Sequence, residues 1–141
     1  MLRAMRVLAG VIVGFVAIYL GSIEIPGHVL PLVFGPYPEM GSPPFIRTLT
    51  DFFLSAALTV LGGYVAALVA GSWPLIVALT ASALYLALSL LLYLSYGLTG
   101  SEWIWPFFML LKVPLSGLLG GWIFARYNNS LNTDAGSAGA G

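Results

Sequence analysis

Cysteine is absent from this chain. That excludes disulfides, thiolate nucleophiles, iron–sulfur clusters and CxxC redox chemistry. Charge is scarce as well, at 7% of residues against a usual ~25% in soluble domains. The formal net charge is zero and no basic run occurs, so no field draws nucleic acid or acidic partners. No Ser/His/Asp or HExxH spacing occurs, so no catalytic residue is assigned and the chain reads as a non-enzyme. Metal-finger spacing is missing too, and the sequence implies no cofactor and no metal.

What is plentiful is apolar. Hydrophobic residues make up 60% of the 141, against roughly 45–50% in a soluble domain. A water-soluble protein of this size needs more polar surface to cover its core. Lipid is the solvent that fits, and the bilayer is the first expected partner. Four stretches approach the ~20 apolar residues that a helix needs to cross the hydrocarbon. They run over about residues 5–23, 49–70, 74–96 and 104–125. These stretches are apolar on every face, and a strand in lipid would need alternation and a closed barrel. The expected fold is an all-α membrane protein with four transmembrane helices over residues 1–127, followed by a disordered polar tail over 128–141.

The connections differ in character. Glu24 to Arg47 carries Pro26, Pro31, Pro36, Pro38, Pro43 and Pro44, which deny it regular hydrogen bonding. Its Val29, Leu30, Leu32, Val33, Phe34 and Tyr37 predict that it folds back on the bundle or lies at the interface. Gly71-Ser72-Trp73 is a tight turn, with Pro74 suited to the first turn of the next helix. Gly97 to Trp103 is a third, short connection. The first stretch has a basic start like a signal peptide. Its apolar core exceeds the about 7–15 residues of a signal, and no clear A-x-A site follows. Arg3, Arg6 and Arg126 fall on one side of the membrane and Arg47 on the other. The positive-inside rule then puts both termini in the cytoplasm, with the Pro-rich segment and the Glu102 turn outside.

The second and fourth stretches end alike. Leu61-Gly62-Gly63-Tyr64-Val65-Ala66-Ala67 is echoed by Leu119-Gly120-Gly121-Trp122-Ile123-Phe124-Ala125, at an offset of 58 residues. Read as a duplication, this gives two parallel helical hairpins related by an axis along the membrane normal. Read as coincidence, it reflects how common glycine and aromatics are in membrane helices. Either way the glycines point to packing, because they let another backbone come close. Gly10 with Gly14 and Gly117 with Gly121 form small-xxx-small faces, and Gly62, Gly63 and Gly120 extend the set.

Arg6-Val7-Leu8-Ala9-Gly10 with Gly14, then Ile23-Glu24, Gly27-His28 and the GGYVAA run, resemble a family of small four-helix bacterial inner-membrane proteins without known activity. The resemblance spans residues 3–126 in layout. It implies location and topology only.

Ionisable residues are the candidates for chemistry. Glu24 and His28 stand four apart, a spacing that shares one helix face if the helix continues past Pro26. They are then a two-residue proton or metal site, or a plain interfacial pair. Arg47 and Asp51 are also four apart, at the mouth of the second helix, where an ion pair is the simple account. Lys112 lies well inside the fourth stretch. It either snorkels outward or is a paired charge inside the bundle. Pro114 frees the Leu110 carbonyl nearby as a possible acceptor. Tyr85, Tyr93 and Tyr96 read as packing and interface anchors. The sharp expectation is that Lys112 points inward to Asp51 or Glu24, so that Glu24, His28, Asp51 and Lys112 form one polar cluster. Three functions compete. The first is a non-enzymatic accessory or structural membrane component, packing against itself or another membrane protein. The second is a small transporter or channel using the polar cluster. The third is an intramembrane enzyme using Glu24, His28 and Asp51, the least supported.

Overall fold

A computed structural model describes residues 1–36, 45–95 and 104–138. The described chain is all helix: α1 (Leu2–Tyr19), a π-helical turn (Leu20–Glu24), α2 (Ile25–Phe34), α3 (Phe45–Ala70), α4 (Pro74–Ser95) and α5 (Ile104–Ala138). α1, the π turn and α2 make one continuous rod. Counting that rod once, there are four helices among the described residues. Three stretches within them, residues 2–34, 45–70 and 74–92, are long and apolar enough to cross a membrane. The expectations on Tyr37, Pro38, Pro43, Pro44, Tyr96, the Gly97–Trp103 connection and Glu102 lie outside the described residues.

The first rod does not stop near Ile23, where the proline count predicts its end. Proline in a regular α-helix removes one hydrogen bond and drives its ring into the carbonyl four residues back, here Ser22. The π turn absorbs that conflict. The Ile25 N–H bonds to the Leu20 carbonyl, five residues back, and widens the coil immediately before Pro26. Pro26 then sits in the first turn of α2, where its missing N–H matters least. The rod ends at Gly35, whose φ of 79° and ψ of 175° lie in a region open essentially to glycine alone. At the other end of the chain, α5 runs on through Ala138, past the point where composition predicts a disordered tail.

α3 and α4 are joined by Gly71-Ser72-Trp73, as a turn with two left-handed residues. Gly71 has φ 64° and Trp73 φ 50°. The Gly71 N–H closes on the Ala67 carbonyl at 3.0 Å, and the Val77 N–H opens the next helix on the Trp73 carbonyl at 3.0 Å.

α3 is the hub. It packs on α1, α5 and α4, while α4 also packs on α1 and α5; α1 and α5 do not meet among the described residues. The order around the bundle is α1, α3, α5, α4, with α3 and α4 touching across the middle. This order corrects the expected symmetry. A two-fold axis along the membrane normal exchanges diagonal helices, yet the sequence echo pairs α3 with α5, which are neighbours. The two echoing stretches therefore do not occupy equivalent places.

The interior is built from small residues. Ile18, Ala66, Ala70, Val77, Ala81, Tyr85 and Val113 form the buried cluster. Large side chains such as Leu8, Leu32, Phe53, Leu61, Leu91 and Leu115 face outward. In water that arrangement would expose the sticky surface and hide the weak one. In lipid it is the expected distribution, because tails are as apolar as leucine and helices associate by close packing.

Candidate functional site

Along α3, Asp51, Ser55, Thr59, Gly63 and Ala67 recur every fourth residue and lie along one side of the helix. Ser55, Thr59, Gly63 and Ala67 are buried, and Asp51 is half-buried at the N-terminal end of the stripe. Lys112 enters this seam from α5. Its side chain is inward, with 7% of the residue exposed. The Nζ donates to Ser55 Oγ at 2.7 Å and lies 5.4 Å from the centre of the Phe52 ring. The Ser55 hydroxyl donates to the Asp51 carbonyl at 2.7 Å, with the Phe52 carbonyl a longer alternative at 3.2 Å. Thr59 donates to the Ser55 carbonyl at 2.7 Å. Thr59 Oγ1 and Ser22 Oγ are 3.0 Å apart. A hydroxyl has a single proton, and Thr59 has used its own, so Ser22 is the donor in that contact. The result is a continuous polar seam, Ser22 to Thr59 to Ser55 to Lys112, crossing from the π turn through α3 to α5.

Lys112 is thus drawn in by a hydroxyl, and the expected direct carboxylate partner is replaced. No ion pair joins it to Asp51 or Glu24 among the described residues. The physical reason is depth: Lys112 meets α3 one turn further in than Asp51. Asp51 still interacts with it electrostatically, as it does with Arg47. Snorkelling is not what the side chain does.

The expected four-residue cluster divides in two. Glu24 and His28 stand on the rod's outer face, with side chains 42% and 81% exposed and Nδ1 3.9 Å from Oε2. They do share a face, because the π turn carries the helix past Pro26. His28 Nδ1 is 2.7 Å from the Glu24 carbonyl oxygen, and the Tyr19 hydroxyl donates to Glu24 Oε1 at 3.3 Å. The three residues border a shallow open groove with Leu20, Ile25 and Val29. No hydrogen bond or ion pair links this pair to the seam among the described residues. No group of three or more metal-binding side chains occurs among them either.

Arg47 is buried, and Nη1 reaches the carbonyls of Gly35 and Pro36 at 3.0 and 3.2 Å. It ties the end of α2 to the start of α3. The sequence suggested an ion pair along its own helix with Asp51, and the two do interact electrostatically; the guanidinium also donates to carbonyls just past the end of α2, which have no helical partners.

The seven glycines singled out from the sequence all lie at helix contacts. A methyl group added at Gly10 would sit 2.7 Å from the Ala66 carbonyl oxygen, and one at Gly62 2.7 Å from Ile18 Cγ1. Gly14 would collide with Ala66, Gly63 with the Gly117 backbone, Gly117 with the Ser82 hydroxyl, and Gly120 with the Val60 carbonyl. Gly121 would come 2.8 Å from Ala78 Cβ. The paired glycines have exchanged duties. In α3 the first of the pair meets α1 and the second meets α5; in α5 the first meets α3 and the second meets α4. The glycine that each stretch turns toward the other is thus shifted by one position within the pair.

Sequence reasoning did not single out Ser22, Ser55, Thr59 and Ser82. The signal was present as hydroxyl residues spaced by four in an otherwise apolar helix. Hydroxyls in membrane helices commonly bond their own helix, and Ser82 does so, to the Ala78 carbonyl at 2.8 Å. Only the geometry separates Ser55, which also receives Lys112. Comparison of the chain with protein-family models, curated proteins and solved structures finds no match.

Proposed function

We propose that this protein is a multi-pass component of a bacterial inner membrane with four transmembrane helices and both termini cytoplasmic. In that reading it works as a non-enzymatic accessory or structural subunit. The carrying observation is how the interior is filled. Glycine and alanine bring the helix backbones together, and the hydroxyls of the polar seam are satisfied within it. Such a bundle is closed by its own packing and presents its large apolar side chains to its surroundings. The apolar stretch at about 104–125 supplies the fourth span. The cytoplasmic assignment draws on Arg3, Arg6 and Arg126 against Arg47. Arg126 stacks over Trp122 at 5.3 Å, an arrangement suited to the headgroup zone.

The test is the state of the tagged chain extracted in mild detergent. A stoichiometric complex larger than one chain, with no solute or ion flux in proteoliposomes, is the expected result. A monomer that supports flux would sink the reading. The burial of Lys112 against Ser55 favours a second reading, a small transporter or channel using the seam. Flux lost on Lys112→Met would establish it.

A further inference from the structure

α1 and α4 run parallel, both starting from the same end of the bundle, and between them lies a groove of about 600 Å³. Val7, Leu8 and Val11 line it from α1, and Thr80 and Leu84 from α4. Arg3, Ser72 and Trp73 stand at its mouth. The α1 wall from Arg3 to Val11 is about 12 Å long and the α4 wall from Trp73 to Leu84 about 16 Å, at ~1.5 Å per residue. That is about half of a ~30 Å hydrocarbon core, the depth of one leaflet. The walls are apolar, and the one hydroxyl along them, on Thr80, is turned back onto its own helix at the Ile76 carbonyl.

The mouth has the opposite character. The N-terminal ends of α1 and α4 both carry the positive pole of a helix dipole, and the Arg3 guanidinium adds a full charge. Pro74 has no N–H, so the N–H groups of Leu75 and Ile76 form the exposed pole of α4. Trp73 is largely exposed in a left-handed conformation and lays an indole at the same level. Apolar walls one leaflet deep, closed at one end by positive charge, complement an amphiphile with a negative head. We propose that the α1–α4 groove is a binding site for an anionic glycerophospholipid. One acyl chain lies along Val7, Leu8, Val11 and Leu84, and the phosphate sits on Arg3 and the start of α4. This inference rests on the membrane placement proposed above, and does not depend on whether the protein is an accessory subunit or a transporter.

Purified protein in maltoside micelles is titrated with phosphatidylglycerol or with phosphatidylcholine of identical chains, and bound lipid is counted by native mass spectrometry. Phosphatidylglycerol is expected to bind about fivefold more tightly, the effect of one basic residue near a headgroup. Arg3→Gln should bring the two lipids within about twofold, whereas Arg6→Gln, outside the groove, should keep the preference. Thr80→Trp should weaken both lipids by filling the groove; Leu8→Trp replaces it if that variant does not fold. Equal binding of the two lipids by the parent would overturn the proposal and point to a partner helix or a second copy in the groove. So would loss of the preference in Arg6→Gln, which would make it a general surface charge. Binding of chain-free glycerophosphoglycerol as tight as that of the lipid would do the same. Resistance of the protein to alkaline extraction from membranes reports separately on membrane placement, so failure there is distinguishable from failure of the groove.

Discussion

Removing the Ser55 hydroxyl is the sharpest perturbation of the seam. In the parent, Lys112 Nζ donates to Ser55 Oγ at 2.7 Å within the bundle, and both residues are buried. A hydrogen bond to a charged group contributes about 1.5–3 kcal/mol, and a buried ion that loses its acceptor costs about as much. Ser55→Ala should therefore destabilise the bundle by about 2 kcal/mol. The other bond of that hydroxyl runs to its own helix, where a neutral intrahelical contact adds little. Lys112→Met behaves differently. It deletes the hydrogen bond and the contact with the Phe52 ring, worth about 0.5–2 kcal/mol. It also removes the about 2.5–3.5 kcal/mol cost of holding an ammonium at membrane depth. The single variant should lie within about 1 kcal/mol of the parent. In the Lys112→Met background, Ser55→Ala should then cost less than about 0.5 kcal/mol, leaving a coupling of about 1.5 kcal/mol. Unfolding of all four proteins by SDS titration in mixed micelles, followed by circular dichroism, measures the cycle. If Ser55→Ala costs the same with and without the ammonium, the 2.7 Å contact is not energetically real and the seam is not a unit.

Gly120→Ala should destabilise by about 1–3 kcal/mol, since its methyl group would meet the Val60 carbonyl. Gly27→Ala, with nothing within 4 Å of the added carbon, should stabilise by about 0.5–1 kcal/mol as an ordinary helix substitution. The same SDS titration reads both, and equal signs for the two would refute the close-approach argument. Arg47→Ala should loosen the end of α2 from α3. Amide hydrogen exchange over residues 25–36 is expected to rise several-fold with little change over α4, and unchanged exchange there would mean that the two carbonyl contacts do not hold the joint. A reporter active only in the cytoplasm, fused after Arg126, should be active; activity of a periplasmic reporter at that position would reverse the orientation.

The helices were legible in the sequence as long apolar runs, and α4, expected over 74–96, runs from Pro74 to Ser95. The first rod was not, because proline was weighed as a stop. A π turn is decided by whether the flanking segments can both still bury a face, and that is not a local property. The inward Lys112 was legible from its depth in an apolar run. Its partner was not, since the carboxylates drew the pairing and Ser55 looked like one more hydroxyl bonded to its own helix. Glu24 and His28 were legible as a pair but not as a pair apart from Lys112. Which side of the rod they occupy depends on the π turn.

That turn also sets the winding of the rod. Of the residues buried along it, Gly10, Gly14, Ile18, Ser22, Pro26 and Leu30 recur every four positions, with Gly21 buried beside Ser22 in the turn. At about 100° per residue, each such step creeps ~40° around the axis, and from Gly10 to Leu30 the total is about 200°. A straight α-helix with this pattern would turn its far end away from α3. One extra residue taken up in the wide turn gives back about 100°. About 100° remains, and the rod still meets α3 along its length, Gly10 at Ala66 and Ala70, Gly21 at Leu58, and the Gly35 and Pro36 carbonyls at Arg47. The irregularity thus keeps a four-residue repeat in phase with a neighbouring helix. A chain one residue shorter between Leu20 and Glu24 would present the same two faces on plain α-helix, with the ring of Pro26 driven against a carbonyl.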